Sequence, residues 1–208
     1  MVKGENISIC SIVSILLFVS LVLTGCVTLT SAYVPDAFLI DGWYENTSLR
    51  NTGLQFMGME KWGSLTYEIN GKFPATLTVT TLKSLIIANE EDIKKKTTEA
   101  IDQTFNDRII VTNSTSGKRQ LSTGHESIYM LYEGYDTKDN ETVKMIGEVW
   151  NCPTSGTSII CIGLAFISNH EQGGLFNMSH WNILIQDPLG TLEGSTGEKG
   201  LIYNIVCH

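Results

Sequence analysis

At 208 residues with a formal net charge of −8, the chain has the length of one self-sufficient domain and the wrong sign for binding nucleic acid. Hydrophobic residues make up 42% of it and charged residues 17%, which excludes wholesale disorder. Lys3 and Glu5 cancel, so loss of an N-terminal leader leaves the acidic balance unchanged, and anionic headgroups would repel the domain as well.

The first element is that leader. An apolar run from Ile7 to Leu23 ends in Leu23-Thr24-Gly25-Cys26, a lipobox-like sequence in which small residues precede a thiol placed for diacylglyceryl attachment. Ser/Thr-rich sequence follows, without the basic cluster that stops transfer. The expectation is a signal peptide over residues 1–25 and a protein lipid-anchored through Cys26 on the extracytoplasmic face of the membrane. An uncleaved helical anchor, or secretion after Thr30-Ser31-Ala32, are the alternatives, and all three export the body of the chain. Residues 26–61, rich in Thr, Ser, Asn and Gly with scattered aromatics, are expected to be a tether and N-terminal extension.

A globular domain is expected over 62–190. Leu65, Tyr67 and Ile69 alternate before Asn70-Gly71-Lys72, and Phe73, Ala75, Leu77 and Val79 alternate after it, the pattern of a hairpin. Placing both apolar sets on one core with a three-residue loop puts Tyr67 opposite Ala75. A helix is expected over Asn89–Phe105: Asn89 is a good N-cap, acids follow it, and Ile93, Thr97, Ala100, Ile101 and Phe105 recur at helical spacing. Arg108–Thr112 reads as a short strand and His125–Tyr135 as an alternating one. Lys144–Cys152 and Ser158–Ser168 are nearly continuously apolar, as in central strands. A short helix follows Ser179, and 191–208 is expected to be a C-terminal extension.

Cys152 and Cys161 flank a turn-forming stretch. A two-residue loop at Gly156-Thr157 would place them opposite each other, close enough for a disulfide in an oxidising exterior. Pro153, with no N–H to give the ladder, argues for a wider loop, and two free buried thiols are the alternative. Cys207 is then left over. Sequons at Asn46, Asn113, Asn140 and Asn177 are candidate glycosylation sites, which beside a lipobox would fit an archaeal cell-surface protein.

The residues offer little catalytic chemistry. His125-Glu126 and His170-Glu171 would have to meet in space to hold a metal, and His180 and His208 stand at no ligand spacing. The Cys207-His208 pair lies at a chain end with little to hold it rigid. The sequence has no Gly-x-Ser-x-Gly elbow and no Walker lysine. No catalytic residue, metal site or cofactor is assigned from sequence.

The later chain, with Gly124-His125-Glu126-Ser127-Ile128-Tyr129-Met130, Tyr132-Glu133-Gly134, two long strands, Trp181 and Asp187-Pro188-Leu189-Gly190, resembles the PsbP-like family over about Trp62 to Gly190. The resemblance implies an α+β fold: a central antiparallel sheet of about six strands with helices on its faces, an α/β/α sandwich. It also implies a non-enzymatic accessory role, binding a protein partner or supporting a membrane complex. A small-ligand or metal-binding lipoprotein is the first alternative, and an extracytoplasmic hydrolase the second. An exposed aromatic patch at Trp43, Tyr44 or Trp181 would favour partner binding. A cleft gathering His125, His170 and Glu171 would favour metal.

Overall fold

The computed structural model describes residues 29–55, 60–71, 74–84, 95, 99, 108–138, 141–167, 179–185 and 200–208. Eight strands run through them: β1 (Tyr44–Glu45), β2 (Asn51–Gln55), β3 (Glu60–Ile69), β4 (Ala75–Ser84), β5 (Ile109–Gln120), β6 (Glu126–Asp136), β7 (Glu141–Cys152) and β8 (Thr157–Ile167). All pair antiparallel in one sheet of spatial order β1-β3-β4-β8-β7-β6-β5, with β2 beside β1 on the outer side of β3. The one helix with described bounds is α1 (Ser179–Ile185), where the sequence places it.

This overturns the expected α/β/α sandwich. Among the described residues 59% are strand, in eight strands instead of about six, and they do not form a sheet with helical layers packed on its faces. Two strands, β1 and β2, lie in what reads as tether. A third, β5, runs well past Thr112 through polar sequence, because an exposed edge strand need not alternate. The expected helix over Asn89–Phe105 lies outside the described residues except for Lys95 and Glu99, which are helical and pair across one turn at 3.9 Å.

The faces follow the sequence's alternation even where the pairing does not. On β3 and β4 the odd-numbered Tyr67, Ile69, Ala75, Leu77 and Val79 are buried together, as expected. Tyr67, however, pairs with Leu77 and Ile69 with Ala75, two residues from the expected register. Pro74 cannot donate to the ladder, so the strands close one step earlier. Its carbonyl accepts from Phe166 N at 3.1 Å instead. A slip of two keeps every side chain on its face, so the core does not resist it.

Neither flank behaves as an extension. Ala32, Val34 and Trp43 from the N-terminal side share one buried cluster with Leu201, Ile202, Ile205 and Cys207 from the other end. Val34 N donates to the Tyr67 hydroxyl at 3.0 Å, and Ala32 N to Thr81 Oγ1 at 2.7 Å. Tyr33 and Val206 form a bridge, with bonds of 3.0 and 2.9 Å. Described residues from beyond the boundaries expected at 61/62 and 190/191 therefore share one core with the sheet. α1 completes it, setting Leu184 over Gly163, where an added Cβ would lie 2.6 Å from Leu184 Cδ2 and 2.9 Å from Ile146 Cγ2.

Within this apolar layer sits a charge. Glu148, fully buried in mid-β7, receives Arg119 Nε at 2.8 Å and Nη2 at 2.6 Å from edge strand β5. Ser127 Oγ of β6 donates to the same carboxylate at 2.5 Å, and Arg119 Nη1 reaches the Ile185 carbonyl at the end of α1 at 3.0 Å.

Two stability outcomes follow. Arg119→Met or Glu148→Leu alone should cost about 3–5 kcal/mol by urea denaturation, since each strands a buried charge, while the double variant should cost clearly less than the sum. Gly163→Ala should lower stability by roughly 1–3 kcal/mol through overpacking under α1, despite removing a flexible glycine from a strand.

Candidate metal centre

Three chain segments converge at one end of the sheet. The first is the β5–β6 turn, closed by Gly124 N to the Leu121 carbonyl at 2.9 Å, with Gly124 at a φ of 81°. It carries His125. The second is the end of β7, where Cys152 pairs with Thr157 and Gly156 N closes the turn onto the Cys152 carbonyl at 2.9 Å. The third is the segment after Val206, carrying Cys207 and His208. Ser122 N and Oγ both donate to the Tyr203 carbonyl, at 3.1 and 2.9 Å, fixing the first segment to the third.

One donor atom from each of His125, Cys152, Cys207 and His208 lies within 4.8 Å of every other. Cys152 Sγ is 3.4 Å from His208 Nδ1, Cys207 Sγ is 3.6 Å from the same nitrogen, and Cys207 Sγ is 3.9 Å from His125 Nε2. Bond lengths of about 2.3 Å to sulfur and 2.0–2.1 Å to nitrogen in a tetrahedron place such donors roughly 3.3–3.8 Å apart. The three separations of 3.4, 3.6 and 3.9 Å lie in or close to that range, so an ion would need little rearrangement there. The His125 and His208 rings meet edge to face, their centroids 5.7 Å apart, so neither stacks over the space between them.

Surrounding groups suit the same purpose. His125 Nδ1 lies 2.7 Å from Thr123 Oγ1, which orients the ring with Nε2 toward the sulfurs. The indole N–H of Trp150, buried and with no geometrically good partner of its own among the described residues, faces Cys207 and favours its thiolate. Burial pushes the Cys152 thiol up, but hydrogen bonds involving Cys207, Ser155 and His208 outweigh it and hold the group down at about 6. Burial and the facing Cys152 sulfur push Cys207 up to about 12. The two facing sulfurs thus shift in opposite directions, and a cation would stabilise both as thiolates.

A set of two sulfurs and two nitrogens without a carboxylate selects zinc or another borderline-to-soft ion over calcium or magnesium. Four protein donors close the tetrahedron, which is the pattern of a structural site with no position for a reacting water. A cavity of about 410 Å³ shares His125 and Trp150 with the cluster. A four-coordinate ion would turn no open site toward it.

The expected disulfide is not formed. Cys152, Cys161 and Cys207 are all free. The β7–β8 loop is the four-residue turn Pro153–Gly156, wider than the two-residue loop that would align the cysteines, as Pro153 requires. Cys161 therefore faces Glu148 on one side and Val79 on the other. Burial, and next the Glu148 carboxylate, push its thiol well above the usual range.

The other expected sites are dispersed. Cys26, Asn140, Asn177, His170 and Glu171 lie outside the described residues, and His180 sits on α1. Asn46 binds Glu68 Oε2 through Nδ2 at 2.9 Å and accepts from Ser48, so its amide is engaged. Asn113 is exposed on edge strand β5 beside a bulge. His125 does take part in a metal-type cluster, but with cysteines as partners. The usable signal was His125, Cys152, Cys207 and His208 counted together, and no fixed spacing announces it.

The described residues thus form an antiparallel β-sheet domain with a Cys2His2 cluster assembled from the β5–β6 turn, the end of β7 and the segment after Val206. No family model, curated protein or solved structure matches the chain.

Adding zinc to metal-free protein should raise the melting temperature by several degrees, and a strong chelator should reverse it. His125→Ala should weaken zinc binding about 100-fold or more, roughly one donor's share of the ~10–16 kcal/mol typical of four-ligand zinc sites. Competition against a chromogenic chelator measures both constants.

Proposed function

We propose that this chain is an exported, lipid-anchored domain that binds one zinc-type ion through His125, Cys152, Cys207 and His208. The observation that carries the reading is the meeting of four nitrogen and sulfur donors within 4.8 Å from segments far apart in sequence. Coordination fastens the C-terminal segment to two sheet turns, so the ion acts as a structural staple.

The accessory, partner-binding role falls behind the metal reading. Trp43 and Trp181, two of the aromatics that would anchor a partner, are buried in the core. What favours a place beside a membrane complex is the shortness of the tether. Leu29 already packs beside Gly63, and only two residues separate it from Cys26. Three residues of extended chain span about 10 Å, so an acylated Cys26 would hold the domain flush with the bilayer. Among the described residues no helix is long and apolar enough to cross a membrane.

Native protein isolated from membranes without chelators should carry one zinc equivalent per chain by elemental mass spectrometry. Its intact mass should equal cleavage before Cys26 plus acyl chains. Metal-free protein from a zinc-replete source would sink the metal reading, and a retained leader or a soluble form starting at Tyr33 would sink the anchor.

A further inference from the structure

We propose that Cys152 and Cys207 are also a redox pair, whose oxidation to a disulfide by a peroxide-class oxidant expels the metal ion and whose reduction lets it return. This rests on the metal reading and adds to it the way the site is opened.

Three observations lead there. The two sulfurs are neighbours in the cluster, within 4.8 Å, yet they come from positions 55 residues apart and belong to separate segments. A disulfide needs its sulfurs at about 2.05 Å, so rotation of the two cysteine side chains has less than 4.8 Å of separation to close. The third thiol is kept out: Cys161 lies fully buried inside the sheet between Glu148 and Val79. Among the described cysteines, oxidation therefore has one partner choice. Cys152 and Cys207 are buried and His208 is the exposed member of the cluster, so an oxidant would enter from the His208 side. An exported thiol pair lives among oxidants, where the competition between metal and disulfide is unavoidable.

The step balances. One thiolate attacks a peroxide oxygen; an S–O bond forms, the O–O bond breaks, and hydroxide leaves and takes a proton. The second thiolate attacks the resulting sulfenic sulfur; an S–S bond forms, the S–O bond breaks, and a second hydroxide leaves as water after protonation. The sulfurs lose two electrons, the peroxide gains two, and the ion, left with only two imidazoles, is released.

The test uses the full-length protein loaded with zinc and titrated with hydrogen peroxide, reading released zinc with a chromogenic chelator and mapping cysteines by mass spectrometry. The expected result is one zinc released for every two thiols lost, a Cys152–Cys207 crosslink, free Cys161, and recovery with dithiothreitol plus zinc. Cys161→Ala should leave this coupling intact, whereas Cys207→Ser should abolish the crosslink. Zinc release without a disulfide, a crosslink that includes Cys161, or zinc retained at peroxide levels that oxidise free cysteine would each overturn the redox proposal alone. A protein that takes up no zinc under reducing conditions overturns the metal reading and the proposal together.

Discussion

The Arg119–Glu148 pair is the constraint around which the sheet is organised. A carboxylate in the middle of a central strand is among the most expensive groups to bury, and it is tolerated only when fully hydrogen-bonded. Glu148 meets that demand by drawing Arg119 across β6 from the edge strand and taking a further bond from Ser127 on the way. The pair thereby specifies more than stability. β5 is exposed along most of its length and has little apolar burial to fix its register. Sliding it by one residue would turn Arg119 away from the core and leave Glu148 uncompensated. Because the same guanidinium holds the last carbonyl of α1, one interaction sets the places of three strands and the helix.

The metal cluster depends on that register. His125 stands five residues beyond the end of β5 and one before β6, so its position relative to Cys152 is set by the β5–β6–β7 pairing. The ladders deliver two donors to one end of the sheet, and the chain end supplies the other two. Its approach is guided by the Tyr33–Val206 bridge and by burial of Leu201, Ile202 and Ile205.

Much of the core was legible in the sequence, since burial of one sheet face imposes an alternation that survives errors of pairing. β3, β4, β6, β7 and β8 stand where apolar alternation or apolar runs place them, and Ser179 does open a helix. Register was less legible. The β3–β4 hairpin closes further from its tip than expected, at Pro74, because a missing N–H widens a loop without leaving any trace in the hydrophobic pattern, whereas the β7–β8 loop has the greater width that Pro153 argues for. The flanks were misread for a different reason. Short strands and single buried residues such as Ala32, Val34 and Trp43 are held by tertiary contacts, and their Thr/Ser/Asn-rich neighbours resemble a linker. The cluster was the least legible, because its donors share no local motif and only long-range pairing unites them. Assigning Cys152 to Cys161 used up the one residue that would have made Cys207-His208 interesting.

The energetic balance at the chain end explains why a metal and a preformed cluster are compatible there. Burying Leu201, Ile202 and Ile205 contributes roughly 1.5–3 kcal/mol each, enough to seat the segment on the core before any ion arrives. What burial cannot do is satisfy two thiols and two imidazoles crowded into one space, where hydrogen bonds favour the Cys152 thiolate while burial and the facing sulfur disfavour that of Cys207. A cation would remove that conflict by taking both sulfurs as ligands of one centre. The apolar residues thus supply position and a bound ion would supply charge. Losing the ion should loosen the last residues around Cys207 and His208, while the sheet, fixed independently through Glu148, stays folded.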